Sequence, residues 1–179
     1  MKNRELQTVT VKVLPSLREY ILAINDGSDV IIPGRESKLW GIIKMHLDLI
    51  PQDYVPIPVS GQEGCIRVAI FRVHRWQYSK SGKRTMVVDT LFRNHLTEAG
   101  QRAVADYLMH SFKHTFRSYM TGALSNNPKL SIHDAIYNFC ELYRISMDTI
   151  TYEMLRKDWF RFRKRIPDGF VVPIENKDF

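Results

Sequence analysis

A basic cluster near the end of the sequence is its strongest functional signal. Six cations fall within positions 156–165, with Asp158 as the one acid among them. Favourable interaction with the end of a helix dipole accounts for one or two of these cations. The others repel one another, and contact with phosphates is the commonest reason for such a cluster. The nucleic-acid-binding residues predicted in it are Arg156, Lys157, Arg161, Arg163, Lys164 and Arg165.

A second basic group surrounds a predicted β-hairpin. Two β-rich runs, 65–78 and 85–92, flank the polar segment 79–84, which is typical of an antiparallel hairpin. A basic ribbon with neighbouring aromatics can lie in a groove or along a single strand. An exposed tip that favours Lys, Ser and Gly is an equally good explanation. The candidate binding residues here are Arg75, Lys80, Lys83 and Arg84.

The remaining residues with catalytic or metal-binding chemistry form no complete motif. His110 and His114 have the spacing with which two imidazoles share a metal, but no third ligand stands at a useful distance along the chain. Hydrolase, metalloprotease, phosphate-loop and dinucleotide motifs are absent. We therefore predict no catalytic residue, no metal ligand and no cofactor. The scattered acids leave open a nuclease whose carboxylates converge only in the fold.

Alternating and helical patterns predict the elements that position these groups. The first half reads as a strand over 7–13, a short helix over 16–24, a strand over 30–32 and a helix over 36–49. A helix capped by Thr97 runs to about 123 and carries a stripe of apolar residues. Ser131 caps the next helix, over 132–143, with Asp134 in its first turn.

The final helix is predicted over 149–166. At 100° per residue, its core face contains Tyr152, Leu155, Trp159, Phe162 and Ile166. Lys157, Arg161 and Lys164 lie roughly opposite this face, which suits contact with a phosphate backbone. Phe160 lies off the core face and can stack on a base or a partner.

The composition is that of a folded α+β protein. Hydrophobic residues at 44% and charged residues at 25% disfavour disorder. We predict a mixed α/β part with the hairpin over 1–94, a helical part over 95–169 and an extended or disordered tail over 170–179, with the parts packed as one unit. No apolar run is long enough to span a bilayer, and neither a signal peptide nor a cysteine framework is evident. These features predict a cytoplasmic protein without a membrane partner.

Residues 139–155 resemble helix-turn-helix DNA-binding motifs. The segment Arg144-Ile145-Ser146-x-x-Thr149-Ile150 is similar to the Gly-Val-Ser-x-x-Thr-Val core of that motif, and Cys140 falls where the first helix has a small residue. The resemblance implies a tight turn at Arg144 and a second helix capped by Ser146. The chain departs from the pattern where Arg144 replaces the turn glycine and Glu153 replaces an apolar residue.

Together these features favour a DNA-binding protein, either a transcription regulator or an accessory factor. Its basic final helix and hairpin would hold the phosphates of double-stranded DNA. The net charge of +7 agrees with a polyanionic partner. The alternative is a non-enzymatic assembly component that docks on an acidic protein, and a homo-oligomer remains open. The target sequence and the biological process are not set by these patterns.

Overall fold

A computed structural model of the protein describes residues 7–53, 55, 64–71 and 95–165, together with the backbone of 74–78 and 84–88. The architecture is α+β, as predicted. Along the chain, the described strands and helices are β1 (Thr8–Lys12), α1 (Pro15–Ile24), β2 (Val30–Ile31), α2 (Lys38–Met45), β3 (Leu47–Asp48), β4 (Cys65–Ala69), β5 (His74–Tyr78), β6 (Arg84–Val88), β7 (His95–Leu96), α3 (Glu98–Asn126), α4 (Ile132–Leu142) and α5 (Tyr152–Arg163).

The described residues form two compact units. The first contains the chain up to Val13 and from Ser28 to Leu108, and the second contains Leu14–Gly27 and the chain from Met109 onward. Helix α1 therefore belongs with the C-terminal helices, although it lies near the start of the sequence. The predicted tail over 170–179 lies outside the described residues.

A three-stranded sheet organises the first unit. Strand β4 is central, with β1 antiparallel on one side and β2 parallel on the other. Ile66 and Val68 of β4 are fully buried, and Val11 of β1, which is opposite Ile66, is buried too. A strand with neighbours on both sides suits the nearly continuous apolar run of β4.

The predicted β-rich run over 65–78 is in fact two strands with different partners. Its first part forms β4 in the three-stranded sheet, and only its second part, β5, pairs with β6 in an antiparallel hairpin. The prediction of one hairpin strand over 65–78 was therefore wrong. An alternating pattern indicates extended backbone, but it does not specify which strand the backbone pairs with.

An ion pair holds β2 against the centre of this sheet. Arg67 of β4 binds both carboxylate oxygens of Asp29, with Nη2 at 2.6 Å from Oδ1 and Nε at 3.0 Å from Oδ2. The Arg67 backbone N–H also donates to the Asp29 carbonyl at 2.8 Å. Two parallel hydrogen bonds of this kind define geometry more strongly than a single contact. They position a strand of only two residues.

The predicted helix over 36–49 ends earlier than its pattern indicates. Ser37 caps α2 by accepting the Trp40 N–H, and the helix stops at Met45. Leu47 then enters β3, where it is buried opposite Leu96 of β7. Helical spacing of apolar residues continues into this segment, so only the pairing with a distant strand ends the helix.

Gly100 allows a close approach beside this strand pair. A Cβ at Gly100 would lie 2.5 Å from Cβ of His46 and 2.7 Å from Cδ1 of Leu96. Those distances are far below van der Waals contact, so the first turn of α3 can lie here only because residue 100 has no side chain.

The second unit has an aromatic core beneath its helices. Phe139 of α4 is fully buried, and its ring centroid lies 5.0 Å from Phe116 and 5.9 Å from Phe112 of α3. Tyr20 of α1 packs against Phe112 at 5.1 Å and donates to the Thr115 hydroxyl at 3.0 Å. These contacts attach α1 to helices almost a hundred residues away.

Several predictions for the long helices are confirmed. Thr97 accepts the Gly100 N–H at 3.1 Å at the start of α3, and Ser131 accepts the Asp134 N–H at 3.0 Å at the start of α4. The apolar stripe of α3 is largely buried, and the helix continues to Asn126. Among the described residues, no helix combines the length and apolar character needed to cross a bilayer.

Substitution at Gly100 tests the close approach. We expect Gly100→Ala to lower the free energy of unfolding by about 1–3 kcal/mol because the new methyl group displaces His46 or Leu96. Gly41→Ala is the matched control, since a Cβ at this exposed position of α2 meets nothing within 4 Å. The control should raise stability by about 0.5–1 kcal/mol, as alanine usually does in a helix. Urea denaturation measures both changes, and stabilisation by both would contradict the packing described here.

Candidate nucleic-acid interface

Helices α4 and α5 are in contact with each other, and their connection differs from the predicted one. Helix α5 begins at Tyr152, and its cap is Thr151, whose side chain accepts the Met154 N–H at 3.3 Å. The expected start of the helix at 149 and the expected cap Ser146 were therefore wrong. Ser146 instead opens a separate turn, in which its carbonyl accepts the Thr149 N–H at 3.1 Å.

The turn after α4 has the backbone conformation for which the motif uses glycine. Arg144 has a φ of 52°, in the left-handed region that residues with a side chain seldom adopt. The Ile145 N–H donates to the Cys140 carbonyl at 2.8 Å, and the Arg144 N–H donates to the backbone carbonyl of Glu141 at 3.1 Å. This pattern is a Schellman motif, and the buried Ile145 supplies its usual hydrophobic contact.

Glu19 of α1 binds this connection from outside. Its Oε2 atom accepts the Ser146 N–H at 2.9 Å and lies 2.7 Å from the Thr149 hydroxyl. That hydroxyl also lies 2.8 Å from the Ser146 carbonyl, so its single proton can go to either acceptor. Hydrogen bonds to a carboxylate are stronger than hydrogen bonds to a neutral acceptor. The half-buried Glu19 side chain therefore stabilises the backbone turn more than a neutral side chain would. Sequence reasoning missed Glu19 because its partners are more than 120 positions away.

The core face predicted for α5 is confirmed where it is described. Leu155 is 3% exposed and Trp159 is 1% exposed, while Tyr152 and Phe162 are half-buried. The Trp159 Nε1 atom is buried, and no described group accepts its proton. Ile166, the last predicted member of this face, lies outside the described residues. Because the core face is set by Leu155 and Trp159, the opposite face of α5 must point to solvent.

Most of the predicted cations lie on that solvent side. Arg163 is half-buried, and the exposed ones are Arg156, Lys157, Arg161, Lys164 and Arg165. Arg156 lies 3.6 Å from Glu153, an exposed contact one turn away that contributes little. Within the described part of the chain, the other five cations have no carboxylate partner. Their positive charge is therefore available to a ligand.

The one acid inside the cluster is neutralised from another helix. Asp158 binds Arg117 of α3 through both carboxylate oxygens, at 2.8 Å and 2.7 Å. The Arg117 guanidinium also lies over the ring of Phe162, at 5.2 Å from its centroid. The charge of Arg117 is therefore committed to Asp158. Asp158 therefore does not compete for the outer cations of α5.

The other predicted basic residues lie on the first unit. Arg75 is on β5 opposite Val87, and Arg84 is on β6 opposite Tyr78. Lys80 and Lys83, at the expected tip, are outside the described residues. Because the hairpin and α5 belong to different units, a shared interface between them stays a prediction.

His110 and His114 are both exposed on α3. Among the described residues, no three His, Cys, Asp or Glu side chains are grouped so that they could hold a metal ion.

Replacing Glu19 tests its role in the connection. We expect Glu19→Ala to lower the free energy of unfolding by about 1.5–3 kcal/mol, because two hydrogen bonds to a charged group are lost. Glu19→Gln keeps an acceptor oxygen and should cost less. The control is Glu141→Ala, which removes an exposed carboxylate of α4 and should change stability by under about 0.5 kcal/mol. Equal losses at 19 and 141 in urea denaturation would contradict the role of Glu19.

The second test concerns Cys140, which is buried in α4. Burial, with a smaller effect of the Glu19 charge, raises the pKa of its thiol from 9.0 to about 11. Its contribution to folding is therefore complete below pH 9 and is lost as the pH rises towards 11. At pH 8 we expect iodoacetamide to leave Cys140 unmodified in the folded protein and to modify it in urea, as measured by mass spectrometry.

The control for this labelling is a thiol placed on the exposed face of α3 by Ser118→Cys, which should react in the folded state. Modification of Cys140 at the same rate as this surface thiol would contradict its burial.

No protein-family model, curated protein sequence or solved structure matches this chain.

Proposed function

We propose that the protein binds nucleic acid, with duplex DNA as the principal ligand, by placing the exposed face of α5 against the phosphate backbone. The observation that carries this proposal is the group of exposed cations on α5 that have no described carboxylate partner. Such charges raise the free energy of the isolated protein through mutual repulsion, and a line of phosphates relieves it.

The distribution of charge along α5 favours backbone contact over base reading. Helices that read bases usually do so with their first turns. Here the first turn contains Glu153, which is exposed and would be repelled by phosphates on either side of a groove. The exposed cations begin at Arg156 and continue past the end of the helix. The proposed role is therefore that of a regulator or accessory factor that binds DNA largely independently of its base sequence.

The hairpin offers further basic residues for phosphate contact, but the proposal does not depend on them. Arg75 and Arg84 are on its paired strands, and Lys80 and Lys83 are at its predicted tip. Phosphates that contact these hairpin residues would release counterions, as phosphates at α5 would.

A second candidate is an assembly component that docks on an acidic protein. It is favoured by two large apolar side chains on the surface of the helix pair, Leu142 at 61% and Met154 at 56% exposure. Isolated exposed apolar residues are common on protein surfaces, so this observation is weaker than the unpaired charge.

The salt dependence of binding tests the first candidate. We expect the affinity for a duplex to fall linearly with salt on a log–log scale, at a slope of about −0.9 for each phosphate contacted. Replacing Lys157, Arg161 and Lys164 together by Gln should flatten the slope by up to about 2.7, since three contacts are lost. Fluorescence anisotropy of a labelled duplex at several salt concentrations measures this.

The matched control replaces Lys12, Lys38 and Lys44 by Gln. These exposed lysines of the first unit change the net charge by the same amount. If the control flattens the slope as much as the α5 variant does, binding depends on net charge and not on α5. An affinity indifferent to salt would contradict phosphate binding itself.

A further inference from the structure

Three aromatic rings meet on the surface where α4 and α5 are adjacent. His133 and Tyr137 are one turn apart on α4, with ring centroids 4.5 Å apart, and Tyr152 is the first residue of α5. The Tyr152 ring lies 5.2 Å from His133 and 6.3 Å from Tyr137, and the two tyrosine rings are within 25° of parallel. We call these three residues the aromatic cluster.

The aromatic cluster is accessible to a ligand. Tyr137 is 44% exposed, the His133 side chain is 59% exposed, and Tyr152 is half-buried. Aromatic rings whose only role is to join two helices stabilise the fold most when they are shielded from water, as the rings around Phe139 are. Contact between the helices explains the pairing of Tyr137 with Tyr152, but it leaves large ring surfaces in water.

Cations and aromatic rings alternate along α5 away from the aromatic cluster. Arg156 follows Tyr152 by one turn, and its guanidinium lies 5.3 Å from the ring centroid of Phe160 one turn further on. Lys164 follows after another turn and is exposed. Residues four apart differ by about 40° around a helix, so these groups form a stripe that starts at the aromatic cluster and turns gradually around α5 towards its solvent side.

An alternation of rings and cations is the arrangement that binds single-stranded nucleic acid. The bases stack on the rings, and the phosphates between them lie near the cations. Bases within a duplex already stack on both sides, so their faces cannot reach a ring. Asp134 lies beside His133 and repels phosphates on the α4 side, so the phosphates are expected along α5, where Arg156 has only a weak exposed contact with Glu153.

We propose that the aromatic cluster is a stacking site for an unpaired base of single-stranded nucleic acid, whose phosphates contact Arg156 and the cations beyond it. The inference rests on the proposed function and makes it narrower, because the preferred ligand becomes DNA with an unpaired strand. The same surface of α5 holds the backbone in both cases, and the aromatic cluster adds selectivity for unpaired bases.

Substitution of Tyr137 tests the inference in the 179-residue chain. The probes are a labelled oligothymidylate, a duplex of equal length, and an oligothymidylate with one central 2-aminopurine. Tyr137→Leu keeps apolar bulk but removes the ring, and we expect it to weaken binding of the single strand about 5- to 100-fold with little change for the duplex. Tyr137→Phe is the matched control and should stay within about twofold, because it keeps the ring.

Stacking has a spectroscopic signature as well. The fluorescence of 2-aminopurine should be quenched on binding to the unmodified protein and to Tyr137→Phe, and should be quenched less by Tyr137→Leu. Thermal unfolding by circular dichroism checks that both variants remain folded.

The outcomes separate this inference from the proposed function. If both probes bind, but Tyr137→Leu changes neither the single-strand affinity nor the quenching, the stacking site is overturned while phosphate binding by α5 stands. An equal loss for single strand and duplex overturns it too, since that result indicates a structural role. If neither probe binds, and an acidic protein surface is the true partner, both proposals fall together.

Discussion

The connection between α4 and α5 depends on a backbone conformation that the local sequence does not favour. Arg144 adopts a positive φ at the end of α4, where glycine would be less strained. Two hydrogen bonds of the Schellman motif and the buried Ile145 offset that strain locally. Glu19 adds a charged acceptor from α1. The direction in which α5 leaves the turn, and hence which of its faces meets solvent, follows from this combination.

The cations that carry the proposed function lie on α5 and directly after it, downstream of that turn. Burial of Leu155 and Trp159 sets the rotation of α5 about its axis, so the cations must lie on its outer side. The same rotation brings Tyr152 beside Tyr137 and His133 at the surface. Charge and stacking surface are therefore two results of one packing arrangement. A change that loosened the turn would alter both together.

Two acids of the second unit, Asp158 and Glu19, bind groups other than the outer cations of α5. Asp158 is held by Arg117, and Glu19 accepts hydrogen bonds from the turn. Each carboxylate has a partner that is not one of the outer cations. If the outer cations served only to stabilise the fold, ion pairs between them and these acids would be expected, although exposed pairs add little to the free energy of unfolding. The arrangement therefore suits an external anion.

The sequence by itself determined the parts that depend on neighbours along the chain. The caps Thr97 and Ser131, the apolar faces of α3 and α5 and the basic outer face of α5 all repeat at helical spacing or arise from side chains a few positions apart. Only the tertiary structure decided that β4 pairs in the three-stranded sheet and not in the hairpin, that α2 stops at Met45 and that α5 starts at Tyr152. It also revealed the roles of Glu19 and Arg117 and the aromatic cluster. Apart from the start of α5, which its cap Thr151 sets locally, these features join residues distant in the chain, and no local pattern encodes which distant surface a segment will meet.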